Sequence, residues 1–117
     1  MSRDELMYLQ DIAKSCHKVL KFTAGLTQAD LANDEKTYDA VVRNLEIIGE
    51  AAKNISDELR KQLPDIHWRK VAGLRDMLTH AYFGIDDDIL WDIIQNKVPQ
   101  LAKSIDAFLN KRQGSQP

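Results

Sequence analysis

The sequence predicts an all-α fold, an up-and-down bundle of four to five helices. Three observations carry that prediction. Apolar residues recur at steps of three and four along most of the chain, the period of one helix face. Cap residues stand where those runs begin. No segment shows the strict alternation of a half-buried strand, and neither an internal repeat nor a low-complexity segment interrupts the pattern.

The first helix opens at Ser2-x-x-Glu5, a capping box. Leu6, Leu9, Ile12, Ala13, Cys16, Val19 and Leu20 then share one face, and Thr23-Ala24-Gly25 ends the run after Phe22. Thr27-Gln28-Ala29-Asp30 is a second cap signal and opens a short helical turn. Tyr38, Val41, Leu45, Ile48, Ala52, Ile55 and Leu59 form a heptad-like seam, which predicts one long helix over 35–61. A second row runs through Ala40, Asn44, Ile47, Ala51 and Asn54, so this helix is expected to be covered on two sides. Gly49 interrupts the first face. It costs about 1 kcal/mol relative to Ala in a helix interior, which points to close helix packing there.

Leu63-Pro64-Asp65-Ile66 reads as a connection. A third long helix is predicted from Trp68 to Phe83, closed by Gly84 in a left-handed cap. Asp86-Asp87-Asp88 puts negative charge at the start of the next helix, where the helix dipole favours it. Leu90, Ile94, Val98, Leu101, Ile105 and Phe108 share one face through Pro99, where the helix either kinks or stops and restarts. Residues 1–110 are therefore expected to form one helical domain, and 111–117 a polar, disordered tail.

The chain has 117 residues, which suits a single domain. With 44% hydrophobic and 29% charged residues it has an ordinary globular balance. No apolar run approaches the roughly 20 residues of a membrane span. A polar N-terminus and a single cysteine, Cys16, lead us to expect a cytoplasmic protein without a disulfide. The net charge of -2 argues against a protein that coats DNA, but a local cationic cleft for RNA can sit on an acidic body. No pair of cysteines has zinc spacing, no Glu-x-x-His pair offers a di-iron site and no glycine-rich phosphate loop is present. Neither a metal nor another cofactor is expected. His17 and His67 stand alone and read as surface or packing residues.

The chemistry concentrates on the third long helix. Val71, Leu74, Leu78, Ala81 and Ile85 form its core stripe, with Arg75 at the edge. His80 lies on the polar side, one turn beyond Asp76, whose carboxylate can accept a proton from the imidazole and fix its tautomer. Tyr82 returns near the Arg75 edge. Arginine can hold a phosphoryl oxygen in a bidentate manner, histidine can move a proton near neutral pH, and tyrosine can stack on a base. RNA carries its own 2′-hydroxyl nucleophile, so such a set could cleave it without a metal. The five-residue spacing places Arg75 and His80 about 140° apart around an ideal helix axis. One phosphate could meet both only if the Arg75 side chain wraps round, the helix unwinds before Gly84, or a second copy supplies one of the groups.

Arg75-Asp76-Met77-Leu78-Thr79-His80-Ala81-Tyr82 resembles the Arg-x4-His-x-Tyr signature of HepT-like toxins in the HEPN superfamily. The flanking segments resemble the same family: Tyr8-Leu9-Gln10-Asp11-Ile12, the run from Arg43 through Gly49-Glu50-Ala51, Trp68 with Val71-Ala72-Gly73, and Tyr82-Phe83-Gly84-Ile85-Asp86 with Leu90-Trp91. The resemblance covers about residues 4–110 and implies a HEPN-like helical homodimer with metal-independent endoribonuclease activity, in which Arg75 and His80 are catalytic and Asp76 supports them. It also implies a minimal nucleotidyltransferase antitoxin of the MntA kind, which transfers AMP to the signature tyrosine, here Tyr82. Transfer RNA is the expected target. The alternative is a non-catalytic HEPN subunit that binds nucleotide or substrate for a nucleotidyltransferase. Degenerate relatives of that kind lack the Arg and His that this chain keeps.

Overall fold

A computed structural model of the chain describes residues 1–81 and 84–114. It is all-α: α1 (Arg3–Thr23), α2 (Gln28–Ala32), α3 (Glu35–Lys53), α4 (Asp57–Gln62), α5 (Trp68–Thr79), α6 (Asp87–Asp92), a π-helical turn over Ile93–Lys97, and α7 (Val98–Gly114). No strand occurs among the described residues. The first two helix starts form as their sequences dictate. Ser2 Oγ accepts from Glu5 N at 3.1 Å while Glu5 Oε2 accepts from Ser2 N at 3.3 Å, and Thr27 and Asp30 make the same reciprocal box.

The long helix expected over 35–61 is two helices. Asn54 turns its side-chain amide back onto the Glu50 carbonyl at 3.0 Å, competing with the helix ladder. Ser56 then caps α4 by accepting from Leu59 N, while its own N–H donates to Glu5 Oε1 at 3.0 Å. Ile55 and Leu59 stay buried on either side of the break, so the apolar seam runs on while the backbone changes direction.

α5 ends at Thr79, four residues short of Phe83. The His80 main-chain N–H still donates to the Asp76 carbonyl at 3.0 Å, and the chain leaves the helix after it. Gly84 does carry a positive φ, +100°, and its N–H donates to the Ala81 carbonyl at 3.1 Å, beyond the end of the helix itself. Asp86 caps α6 by accepting from Asp88 N and Ile89 N. Pro99 neither stops nor sharply breaks the last helix. Val98 N–H donates to the Ile93 carbonyl five residues back, a π turn placed immediately before the proline. α7 continues to Gly114, so helix extends into the segment expected to be a tail.

α1 packs against α3 and α7, and α5 packs against α3. Leu9, Ile12, Cys16, Val19, Val41, Leu45, Ile48, Leu90, Ile94 and Ile105 make the fully buried centre. His17 is not isolated: its Nε2 meets Asp106 Oδ2 at 2.7 Å and ties α1 to α7. α5 is left at one edge of the bundle. Between it and the π turn and α7 runs an apolar groove of about 450 Å3, lined by Ile48, Ile66, Val71, Leu74, Met77 and Leu101 among others. No helix among the described residues is long and apolar enough to cross a membrane.

Candidate active site

The site is organised by the contact of α3 with α5. A Cβ built on Gly49 would lie 2.6 Å from Arg75 N and 3.3 Å from Arg75 Cα. The two backbones therefore touch, and the missing side chain is what lets them do so. The close packing expected at Gly49 is present, and it falls at the candidate arginine. Gly49→Ala should drive α5 outward, because the clashing atom is backbone and cannot rotate away. Overpacking of this kind costs about 1–3 kcal/mol, which a thermal melt of the variant should register.

From that contact two ion pairs cross from α3 to α5. Arg75 Nε meets Glu50 Oε2 at 2.9 Å, and Lys53 Nζ meets Asp76 Oδ1 at 3.0 Å. Both pairs are partly open to solvent, so each contributes only a fraction of a kcal/mol to about 1 kcal/mol of stability. Their larger consequence is orientation of two adjacent side chains. Lys53 holds the Asp76 carboxyl below its usual range, with smaller contributions from Arg75 and His80.

His80 is the C-cap of α5. Its Nδ1 lies 2.8 Å from the Asp76 carbonyl oxygen. A carbonyl can only accept, so Nδ1 carries the hydrogen and Nε2 is the basic nitrogen of the neutral ring. The expected bond between imidazole and Asp76 exists, but through the main chain; the Asp76 carboxylate turns to Lys53 instead. The helix thus ends before Gly84, with His80 N still bonded to the Asp76 carbonyl. Tyr82 lies outside the described residues.

Beside Arg75 is a smaller, polar depression of about 300 Å3, lined by Tyr8, Asp11, Arg43, Glu46, Ile47, Glu50 and Ala51. It includes Ile47 and Ala51 from the second row of α3, which therefore faces this depression. Sequence reasoning gives Glu50 and Lys53 no role. Their signal is an acid and a base one turn apart on α3, matching a base and an acid side by side on α5. Cys16 takes no part, since burial pushes its thiol up to about 12 and keeps it protonated. Among the described residues no group of three His, Cys, Asp or Glu side chains could hold a metal ion.

Residues 12–108 match the family model described as ribonuclease HepT-like. A protein of Methanocaldococcus jannaschii that bears an RNase name is 39% identical over 112 residues, covering 96% of this chain and 93% of its own. A Thermococcus cleftensis protein named as a ribonuclease HepT is 44% identical over 101 residues, covering 86% of this chain and 92% of its own. A Caldanaerobacter subterraneus protein with an RNase name is 38% identical over 104 residues, covering 89% and 93%. No solved structure matches the chain significantly.

Proposed function

The chain belongs to the HepT-like ribonuclease family, and from that premise we propose that it is a metal-independent endoribonuclease acting through Arg75 and His80. The observation that carries the reading is the fixed tautomer of His80. With Nδ1 bound to the Asp76 carbonyl at 2.8 Å, Nε2 is the nitrogen that can take the proton of a ribose 2′-hydroxyl. The 2′-oxygen then attacks phosphorus, the bond to the 5′-oxygen breaks, and a 2′,3′-cyclic phosphate remains. Arg75 neutralises charge on the phosphoryl oxygens as they gain it. The leaving 5′-oxygen needs a proton, which a protonated His80 can give.

The same reading makes the active form a homodimer. α5 packs on α3 along one side, and the other side borders the open apolar groove, where Met77 is 41% exposed. A two-fold arrangement of facing α5 helices would cover that surface and bring Arg75 of one copy near His80 of the other. It would also supply a second imidazole, so that one could take a proton while the other gives one. The concentration of cations in one cleft fits RNA binding by a chain of net charge -2.

Incubation of the purified protein with RNA in excess EDTA tests the chemistry. Cleavage should persist and leave 2′,3′-cyclic phosphate ends. Activity lost in chelator and restored by a divalent ion would contradict the mechanism; no cleavage at all, with harmless expression, would favour the non-catalytic subunit. The biological setting is that of the family: a toxin, with transfer RNA as target, neutralised by a nucleotidyltransferase antitoxin that adds AMP to Tyr82. A phosphate there would bring negative charge to the RNA site. Mass spectrometry after co-expression with a neighbouring nucleotidyltransferase should find the added AMP on Tyr82. An unmodified Tyr82 in a neutralised protein would mean inhibition by binding alone.

A further inference from the structure

We propose that Glu50 is the positioning residue of the Arg75 site: its carboxylate fixes the guanidinium so that the two terminal nitrogens, rather than Nε, meet the RNA phosphate. The inference rests on the ribonuclease reading and deepens it. An arginine can take a phosphate side-on, through Nε and one terminal nitrogen, or end-on, through both terminal nitrogens. In the structure Nε is already engaged by Glu50 Oε2 at 2.9 Å. That leaves the end-on edge for substrate.

The engagement is built into the scaffold. Gly49 brings the α3 and α5 backbones into contact at Arg75 itself, so the residue after Gly49 starts from a fixed position relative to the arginine. Lys53, one turn further along α3, holds Asp76, the neighbour of Arg75. Two successive residues of α5 are thus tied to one edge of α3. Stability alone explains little of this, since half-exposed ion pairs contribute at most about 1 kcal/mol. A surface that only had to bind RNA would gain by lacking Glu50, because a carboxylate beside the phosphate site repels the polyanion. Asp11 lines the same depression and adds to that repulsion, while Glu46 there is paired with Arg43 at 3.6 Å. Glu50 therefore weakens ground-state binding while orienting the group that stabilises the transition state, and only the second effect raises kcat.

Two substitutions separate these effects. Glu50→Gln keeps an oxygen to accept from Nε–H and removes the charge; KM for RNA should fall and kcat should stay close to that of the native protein. Glu50→Ala removes the acceptor as well; kcat should fall by about 10–100-fold, the scale of small misplacements in an active site, with no rise in KM. Loss of a merely structural contact would lower the melting temperature in both variants without splitting kcat from KM. The Nε–H resonance of Arg75 gives an independent readout by NMR: slow exchange with water in the native and Gln proteins, fast exchange in the Ala protein. If Glu50→Ala retains native kcat, or its Arg75 Nε–H is as protected as before, the proposal is overturned. An active native protein with an equally active Glu50→Ala variant removes this proposal alone, whereas an inactive native protein removes the ribonuclease reading and this one with it.

Discussion

The His80→Ala protein is expected to fold normally and to cleave RNA about 10²–10⁴-fold more slowly, the usual value of general acid–base catalysis. The fold should survive because the imidazole lies at an exposed helix end and the main-chain N–H of residue 80, which alanine keeps, still donates to the Asp76 carbonyl. The ring's own bond to that carbonyl is lost, a change of about 1 kcal/mol. His80→Asn sharpens the test. Its amide can donate where Nδ1 did, restoring the cap, but it has no basic nitrogen and should be as inactive as alanine. Circular dichroism and a melt would establish folding, and end-labelled RNA would give the rate. A folded His80→Ala protein that cleaves at the native rate removes His80 from the chemistry.

Arg75→Ala should lower kcat by about 10²–10³-fold, as the loss of one transition-state donor does elsewhere. Its melting temperature should change little, because the Glu50 pair it breaks is half exposed. The variant is most informative when mixed with His80→Ala. If the two groups act on one phosphate from different copies, a mixed dimer contains one intact pairing and one doubly damaged one. Random exchange should then restore activity, up to roughly a quarter of the native rate, since half the dimers are mixed, one of the two sites in each has its Arg75 and His80, and the second imidazole is missing. If mass spectrometry shows that subunits have exchanged and no activity returns, the shared site is wrong, although a nuclease with both groups in one copy could still stand.

Local chemistry makes much of this molecule legible from its sequence. Ser2-Glu5 and Thr27-Asp30 satisfy orphan helix N–H groups within four residues, so the starts of α1 and α2 can be placed without a structure. The break after Lys53 cannot. Its causes are a side-chain amide competing for a carbonyl and a contact from Glu5, 51 residues earlier in the chain, while the apolar seam continues through Ile55 and Leu59. Periodicity reports burial, and burial does not stop at that break. The end of α5 escapes the sequence for a related reason: Ala81 and Ile85 continue the stripe in register, yet the chain leaves the helix after His80. At the site, helix spacing puts Asp76 behind His80, and the two do meet. Spacing compares side chains, however, and the acceptor is a main-chain oxygen. Glu50 and Lys53 are silent because their partners lie more than twenty residues away, across a helix contact that Gly49 permits and no local pattern specifies.

The π turn before Pro99 also fixes what lengths of chain the fold can accept. A π turn is an α-helix carrying one surplus residue, and each residue of an α-helix advances the next by about 100°. The wider turn takes up that surplus, so deleting one residue of Ile93–Lys97 should return this stretch to a plain helix with α7 still in phase with α6. Leu90, Leu101 and Ile105 would then keep their places in the core. A second deletion has no surplus left to remove and would turn Leu101 and Ile105 away by about 100°. The segment between Trp91 and Pro99 is thus expected to tolerate the loss of one residue far better than the loss of two. The wide turn, more than an exact residue count, keeps the two ends of the last helix in phase.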